Sequence, residues 1–559
     1  MMRIKKRYSA TWLTLSFVAA LMIPIIILAI TENNPFWMTI STILLPFGFY
    51  TLFAALSSNS GQMVLWGFPF IFFSAFQIAI SYLFGNSVVA TDMFLNLTTT
   101  NPGEAGELLG NIYPAVIAVC VIYLPILVLG IVQIRRGKIV KGWLRRKMIV
   151  VGCASFIIGC FTLIFGCWGN IRHTLRDELF PVNVAYNLGL AISETNKIAN
   201  YEETSKEFLY NATHEPQADK REIYVMVIGE AARAANWQLF GYGRETNPLL
   251  SKRNDISLFK HVTTQSNTTH KSVPMILSSV HTSEHDELYR RSGIAALFNE
   301  AGFTTYFISN QKPQGAMIDK LANDAANLIY LENAKYDIEL VEKMQEILKY
   351  ERSQHILIIL HTYGSHFSYH QRYPREFAQY MPDDDVAISG KNIEMIRNAY
   401  DNSILYTDYV LNEIITTLES MPDVCSGLFY CADHGEDLFD TSKKSFLHAS
   451  PMVTYYQLHV ASLAWLSPTY RHTYATKAKA ASLNTYAPAT TYSVFHTVAD
   501  MASIASPYIN RKASLMSEEF DFNATRYYLD DHNNAVELNK EIGIDDEQLS
   551  IFRHAGFYR

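Results

Sequence analysis

The chain has 559 residues and a formal net charge of −7, with 18% charged and 49% apolar residues. That acidic balance, with no basic face, leaves no support for nucleic-acid binding, and the length implies two to four domains. The average hides two unlike parts: no Lys or Arg occurs from Tyr8 to Ile134, whereas the remainder is polar and mixed.

Four apolar stretches lie in the charge-poor part, at residues 11–30, 36–56, 63–84 and 112–134, and a fifth at 148–168. Each is long enough to cross roughly 30 Å of hydrocarbon at about 1.5 Å rise per residue. None shows the polar face of a soluble core helix. A cleaved signal peptide is the alternative for the first stretch, but no small-x-small site follows it. Five membrane helices are therefore expected. Arg3, Lys5, Lys6 and Arg7 precede the first, and Arg135, Arg136, Lys138, Lys141, Arg145, Arg146 and Lys147 lie between the fourth and fifth. The positive-inside bias makes both segments cytoplasmic and places everything after Trp168 on the outer face. The expected domains are 1–169 in the membrane, 170–220 as bridging helices and linker, and 221–559 as the outer domain.

Residues 182–191 are amphipathic, which suits a helix along the membrane surface or a plain linker. From Arg221, apolar runs at 223–228, 304–308, 355–360, 427–431 and 457–466 read as buried strands. Between them, 293–301 and 398–421 read as helices, the second with a stripe of Ile404, Leu411, Ile414, Ile415 and Leu418. This alternation predicts an α/β domain with a mainly parallel sheet behind an α-helical membrane bundle. Of the six cysteines only Cys425 and Cys431 lie in the outer domain, and Cys431 reads as a core strand position rather than half of a disulfide.

Active sites of open α/β sheets lie beyond the C-terminal ends of the strands. Here those ends carry Glu230, Asp433-His434-Gly435-Glu436 and His361-Thr362-Tyr363-Gly364-Ser365-His366, with Phe446-Leu447-His448 in a later loop. Glu230, Asp433 and His434 form an O/O/N donor set suited to zinc with one open position. Each alone reads as a structural polar group; together they point to a metal site. A hydroxyl activated by the metal would complete it. Residues 263–274, Thr-Thr-Gln-Ser-Asn-Thr-Thr-His-Lys-Ser-Val-Pro, offer several, and composition does not choose among them.

These stretches together resemble the lipid A phosphoethanolamine transferases of the colistin-resistance type, whose outer domain belongs to the alkaline phosphatase/sulfatase superfamily. The matching pieces are 227–233 (Val-Ile-Gly-Glu-Ala-Ala-Arg), Gly241-Tyr242, Thr246-Asn247-Pro248, Thr269-His270-Lys271-Ser272-Val273-Pro274, Asn310-Gln311, His361-x-x-Gly364-Ser365-His366, Tyr400-Asp401-Asn402-Ser403-Ile404-x-Tyr406-Thr407-Asp408, Asp433-His434-Gly435-Glu436 and Leu447-His448. The resemblance spans nearly the whole chain. It implies Thr269 as nucleophile and metal ligand, with Glu230, Asp433 and His434 as the other ligands of one zinc ion. It also implies His366 and His448 as catalytic or substrate-side histidines, which contact the phosphoryl group or bind a second zinc. Asn96, Thr100 and Glu104 become membrane-side contacts to the ethanolamine substrate; on composition alone they form an exposed loop with helix caps. The implied reaction moves phosphoethanolamine from phosphatidylethanolamine to Thr269, releasing diacylglycerol, and then to a phosphate of lipid A. The implied setting is a monomer in the bacterial inner membrane, N-terminus cytoplasmic and catalytic domain periplasmic, among membrane lipids.

The chain departs from that pattern in places. Ser266 and Met275 stand where members often carry a disulfide beside the nucleophile, and the lysine expected after Asn310-Gln311 is replaced by an early Lys312, with Gln314 nearest. The acceptor thus stays open among lipid A, lipopolysaccharide core and periplasmic glucan. A lipoteichoic-acid-type phosphoglycerol transferase is the alternative within the superfamily. A sulfatase activity would need Cys or Ser followed by x-Pro-x-Arg, which Thr269-His270-Lys271 does not supply. A receptor or scaffold reading would need a lost metal ligand, and none is lost.

Overall fold

A computed structural model describes residues 8–32, 34–84, 88–99, 102–136, 139–167, 171, 174–386, 388, 390–442, 445–449, 453–538 and 546–557. The chain divides into two compact units, residues 1–95 with 103–192, and residues 193–559 with 96–102.

Among the described residues of the first unit, four helices are long and apolar enough to cross a membrane: Ala10–Thr31, Phe36–Ala54, Ile112–Arg136 and Gly142–Gly166. The expected third span is instead a pair, Ser60–Trp66 and Phe68–Tyr82, bent by 57°. Gly67 occupies the break, where a Cβ would collide with the Phe17 ring. Continuous hydropathy cannot show such a break, because the residues on both sides are apolar. The second and last long helices pack closely through glycines: a Cβ on Gly48 would lie 2.7 Å from Phe156 N, and one on Gly159 would lie 2.8 Å from Leu45 Cγ. Small residues of this kind let membrane helices approach where no hydrophobic effect drives them together. Arg145 closes the end of the second span, donating to Ala55 O at 3.0 and 2.9 Å. The amphipathic segment falls in the helix Val182–Ala199, where Asn187 donates to Val89 O at 2.7 Å.

The second unit is built on a seven-stranded sheet. In chain order its strands are β1 (Glu222–Gly229), β2 (Ile256–Leu258), β3 (Thr304–Ser309), β4 (Asn327–Tyr330), β5 (His355–His361), β6 (Cys425–Ala432) and β7 (Ser462–Leu466). They lie in the order β2-β7-β6-β1-β5-β3-β4. β1 pairs in parallel with β5 and β6, and β3 with β5 and β4, while β7 runs antiparallel to both its neighbours. β1 and β6 are buried along their whole length, as central strands covered on both faces must be. The helix Ile393–Glu419 buries Ile404, Leu411, Ile414, Ile415 and Leu418, the stripe expected from its periodicity.

Two expectations need correction. Residues 457–461 are not strand: Tyr455–Leu458 forms a helical turn capped by the Thr454 side chain, and β7 begins only at Ser462. β2 and β4 went unpredicted; they are three and four residues long and only half-buried, so no alternation marks them. Cys425 and Cys431 are free. They sit at opposite ends of one strand, about 20 Å apart at the rise of an extended chain, far beyond disulfide reach.

Candidate active site

Register builds the centre of the site. Gly229 on β1 pairs with Ala432 on β6, so the next residues, Glu230 and Asp433, leave the sheet side by side. Asp433 Oδ1 accepts the Ala231 N–H at 3.0 Å and the His434 N–H at 2.7 Å, which turns Oδ2 toward the site. His434 donates Nδ1–H to Gly435 O at 3.0 Å, leaving Nε2 as the lone-pair atom. Burial depresses the His434 pKa below the ordinary imidazole value, which keeps the ring neutral and able to ligate. One donor atom each from Glu230, Asp433 and His434 lie within 4.8 Å of one another, and all three residues are buried. Thr269 completes the group: its Oγ1 is 3.0 Å from His434 Nε2 and 3.4 Å from each Glu230 oxygen. Two carboxylates, a neutral imidazole and a hydroxyl fit zinc. A buried group of this composition without a cation would hold like charges together uncompensated.

Thr269 opens the helix Thr269–Ile276, so its hydroxyl lies at the positive dipole end of that helix, where negative charge is favoured. His448 lies against His434 with ring centroids 4.0 Å apart and planes tilted by 39°, and meets Glu436 Oε1 through Nδ1 at 2.9 Å. Its neighbours Leu447 and Ala449 have φ of 65° and 62°, a left-handed conformation that non-glycine residues seldom adopt. Ala231, directly after Glu230, is also left-handed at 53°. Strain is thus concentrated around the converging side chains. His366 follows β5; burial, with Arg372 and His448 nearby, holds its pKa well below the ordinary value.

Several residues that the sequence reading left without a role hold this arrangement. Gln311 donates Nε2–H to Glu230 Oε2 at 3.2 Å and to Thr362 O at 2.8 Å. Glu436 also accepts from Tyr369 OH at 3.2 Å, and burial pushes its carboxyl up to about 8. Asp337 accepts the N–H groups of Tyr363 and Gly364, both at 2.8 Å, and so shapes the loop leading to His366. Tyr400 donates to Ala231 O at 2.6 Å and accepts the Arg233 N–H at 3.0 Å, clamping the turn after β1. Asp408 accepts the N–H groups of Leu249 and Leu250 at 2.9 and 3.1 Å. Much of the shared motif is therefore scaffold. Lys312 is exposed, and Ser266 meets Thr268 Oγ1 at 3.3 Å through its hydroxyl. Thr100 lies outside the described residues. Asn96 and Glu104 fall within the helices Thr91–Thr99 and Pro102–Arg136, with side chains outside the described set.

The Sulfatase family model matches residues 222–504, over half of the chain, and a second model, Phosphoethanolamine transferase EptA/EptB, matches residues 47–195. A Kdo(2)-lipid A phosphoethanolamine 7''-transferase of Escherichia coli (strain K12) is 29% identical over 291 residues, 50% of this chain and 49% of that relative. The chain spans about half the length of the curated relatives it matches first. Among solved structures, the integral membrane lipooligosaccharide phosphoethanolamine transferase A of Neisseria meningitidis shares the fold over 91% of this chain and 96% of its own, with TM-score 0.67 and 21% identity. The periplasmic domain of EcEptC from Escherichia coli, solved in complex with Zn, matches 59% of this chain and 96% of its own, with TM-score 0.54 and 23% identity. On this evidence the chain belongs to the sulfatase family, and its N-terminal part is similar to the Phosphoethanolamine transferase EptA/EptB family.

Proposed function

We propose that the protein is a zinc-dependent transferase that moves phosphoethanolamine from phosphatidylethanolamine to a phosphate of lipid A through a phospho-threonine intermediate. The observation that carries this reading is Thr269: a hydroxyl at a helix N-terminus, within 3.4 Å of buried Glu230 and His434, in a chain whose residues 47–195 match the phosphoethanolamine transferase model. Glu230, Asp433, His434 and Thr269 would hold the zinc ion, which when bound supplies Lewis-acid stabilisation of oxygen anions. Thr269 Oγ1 attacks the donor phosphorus, and the bond to the diacylglycerol oxygen breaks. The neutral imidazole of His366 or His448, on the substrate side, passes the proton lost by the Thr269 hydroxyl to this oxygen, and in the second step carries the proton of the acceptor's P–OH back to Thr269. The acceptor phosphate then attacks the same phosphorus from the vacated side, and Thr269 is released. Asn96, Thr100 and Glu104 are assigned to the ethanolamine end of the donor. Both substrates are lipids, which gives the membrane helices a part in the reaction.

The test is Thr269→Ala in purified full-length protein given phosphatidylethanolamine vesicles. Native protein is expected to carry an adduct of phosphoethanolamine mass on the peptide containing Thr269, and the variant neither adduct nor transfer, a loss of at least about 1,000-fold. Transfer that persists in the variant overturns the assignment. An adduct of phosphoglycerol mass replaces the donor.

A further inference from the structure

A second donor group lies at the opposite end of the sheet. Glu222 opens β1 and His355 opens β5, paired directly in register. His214 belongs to the two-residue strand Thr213–His214, which pairs with Ile504–Ala505. One donor atom from each of His214, Glu222 and His355 lie within 4.8 Å of one another. His214 Nε2 is 2.9 Å from Glu222 Oε2, and His355 Nδ1 is 3.7 Å from the same oxygen. All three atoms are buried, and none makes a hydrogen bond of acceptable alignment. The other Glu222 oxygen is satisfied by Tyr474 OH at 2.6 Å, and the Glu222 side chain is 1% exposed. Phe303 packs against both imidazoles, edge-on to His214 at 4.8 Å between centroids and tilted to His355 at 5.3 Å.

Three buried nitrogen and oxygen atoms that converge without an aligned hydrogen bond form a costly arrangement unless a cation sits among them. A His–Glu ion pair would align one N–H with one oxygen and leave the second imidazole with no purpose there. We propose that His214, Glu222 and His355 form a structural zinc site distinct from the catalytic one. Two imidazoles and one carboxylate are a zinc donor set, and the partly exposed edge of His355, 27% accessible, leaves room for water as fourth ligand. The ion would tie the short strand ahead of β1 to the N-terminal ends of β1 and β5. This inference does not depend on the reaction proposed above.

The test uses full-length protein in detergent, stripped with chelator and titrated with zinc chloride. The His434→Ala variant, lacking a catalytic ligand, is expected to bind one zinc ion per chain and to melt a few degrees higher with zinc. His434→Ala combined with His355→Gln is expected to lose both the ion and the shift. No zinc in His434→Ala at micromolar free metal, or equal zinc in the single and double variants, overturns the proposal. If the double variant does not fold, X-ray absorption of zinc-loaded His434→Ala decides: two imidazoles in the coordination shell support the site, and one or none refutes it.

Discussion

Gly364 shows how tightly the candidate metal donor Glu230 is held by the backbone packed against it. Its φ is 49°, and a Cβ there would lie 2.7 Å from Glu230 O and 2.9 Å from Glu230 N. Gly364→Ala is therefore expected to cost about 1–3 kcal/mol and to lower zinc affinity by about 10–100-fold through Glu230; calorimetric zinc titration measures it. Glu351 is a residue remote from the site whose effect depends on pH. Its carboxylate accepts from Tyr306 OH at 2.5 Å and from Ser353 N and Oγ, both at 2.8 Å. The Tyr306 bond, then those to Ser353, lower its pKa from 4.5 to about 2. A depressed carboxyl stabilises the fold above its unfolded pKa and loses that contribution as pH falls toward the folded one. Glu351→Gln should thus lower stability at pH 7, by at most about 1 kcal/mol given solvent screening. The melting difference from native protein should shrink between pH 4.5 and 2; a constant difference would contradict this. At this scale the sequence was informative where chemistry needs charge. Glu230, Asp433 and His434 stood out because each follows an apolar run. Gln311 and Asp337 did not, because an amide or acid in a loop has no pattern until its partners, Glu230 and the Tyr363 and Gly364 N–H groups, are placed beside it.

Among elements, the membrane helices Phe36–Ala54 and Gly142–Gly166 carry the clearest prediction. Gly159 lies against Leu45, with a Cβ expected 3.0 Å from Leu45 N, so Gly159→Leu forces the pair apart. A loss of about 1–3 kcal/mol is expected, read as a lower melting temperature in detergent. Gly142→Ala, where nothing lies within 4 Å, serves as the neutral control. Long elements were legible because a pattern repeats along them: 27 residues of Ile393–Glu419 show one stripe many times. A three-residue strand such as β2 has no room for a repeat, and its place is settled by pairing with β7. The break at Gly67 escaped for a related reason. Hydropathy sums over a window, and a bend changes direction without changing composition.

For the molecule as a whole, orientation follows from charge alone and has a direct check. The basic residues from Arg135 to Lys147 are expected in the cytoplasm. A cysteine at Lys141 should resist an impermeant thiol reagent in intact cells, and a cysteine at the exposed Leu209 should react; the reverse labelling refutes the assigned topology. The architecture at this scale was legible because a membrane part and an α/β part differ in composition over hundreds of residues.

The parallel register that sets Glu230 beside Asp433 also governs biogenesis. Ala231 and Asp433, which hydrogen-bond in the finished protein, are 202 residues apart in the chain. β1 leaves the membrane part early, but its neighbours β5 and β6 follow much later, and contacts of such separation form late in folding. While the chain is being synthesised, Glu230 waits without Asp433 or His434, so the nascent domain does not offer the complete candidate donor set to a passing metal ion. Any product truncated before His434 is born without the site, whatever else of it folds.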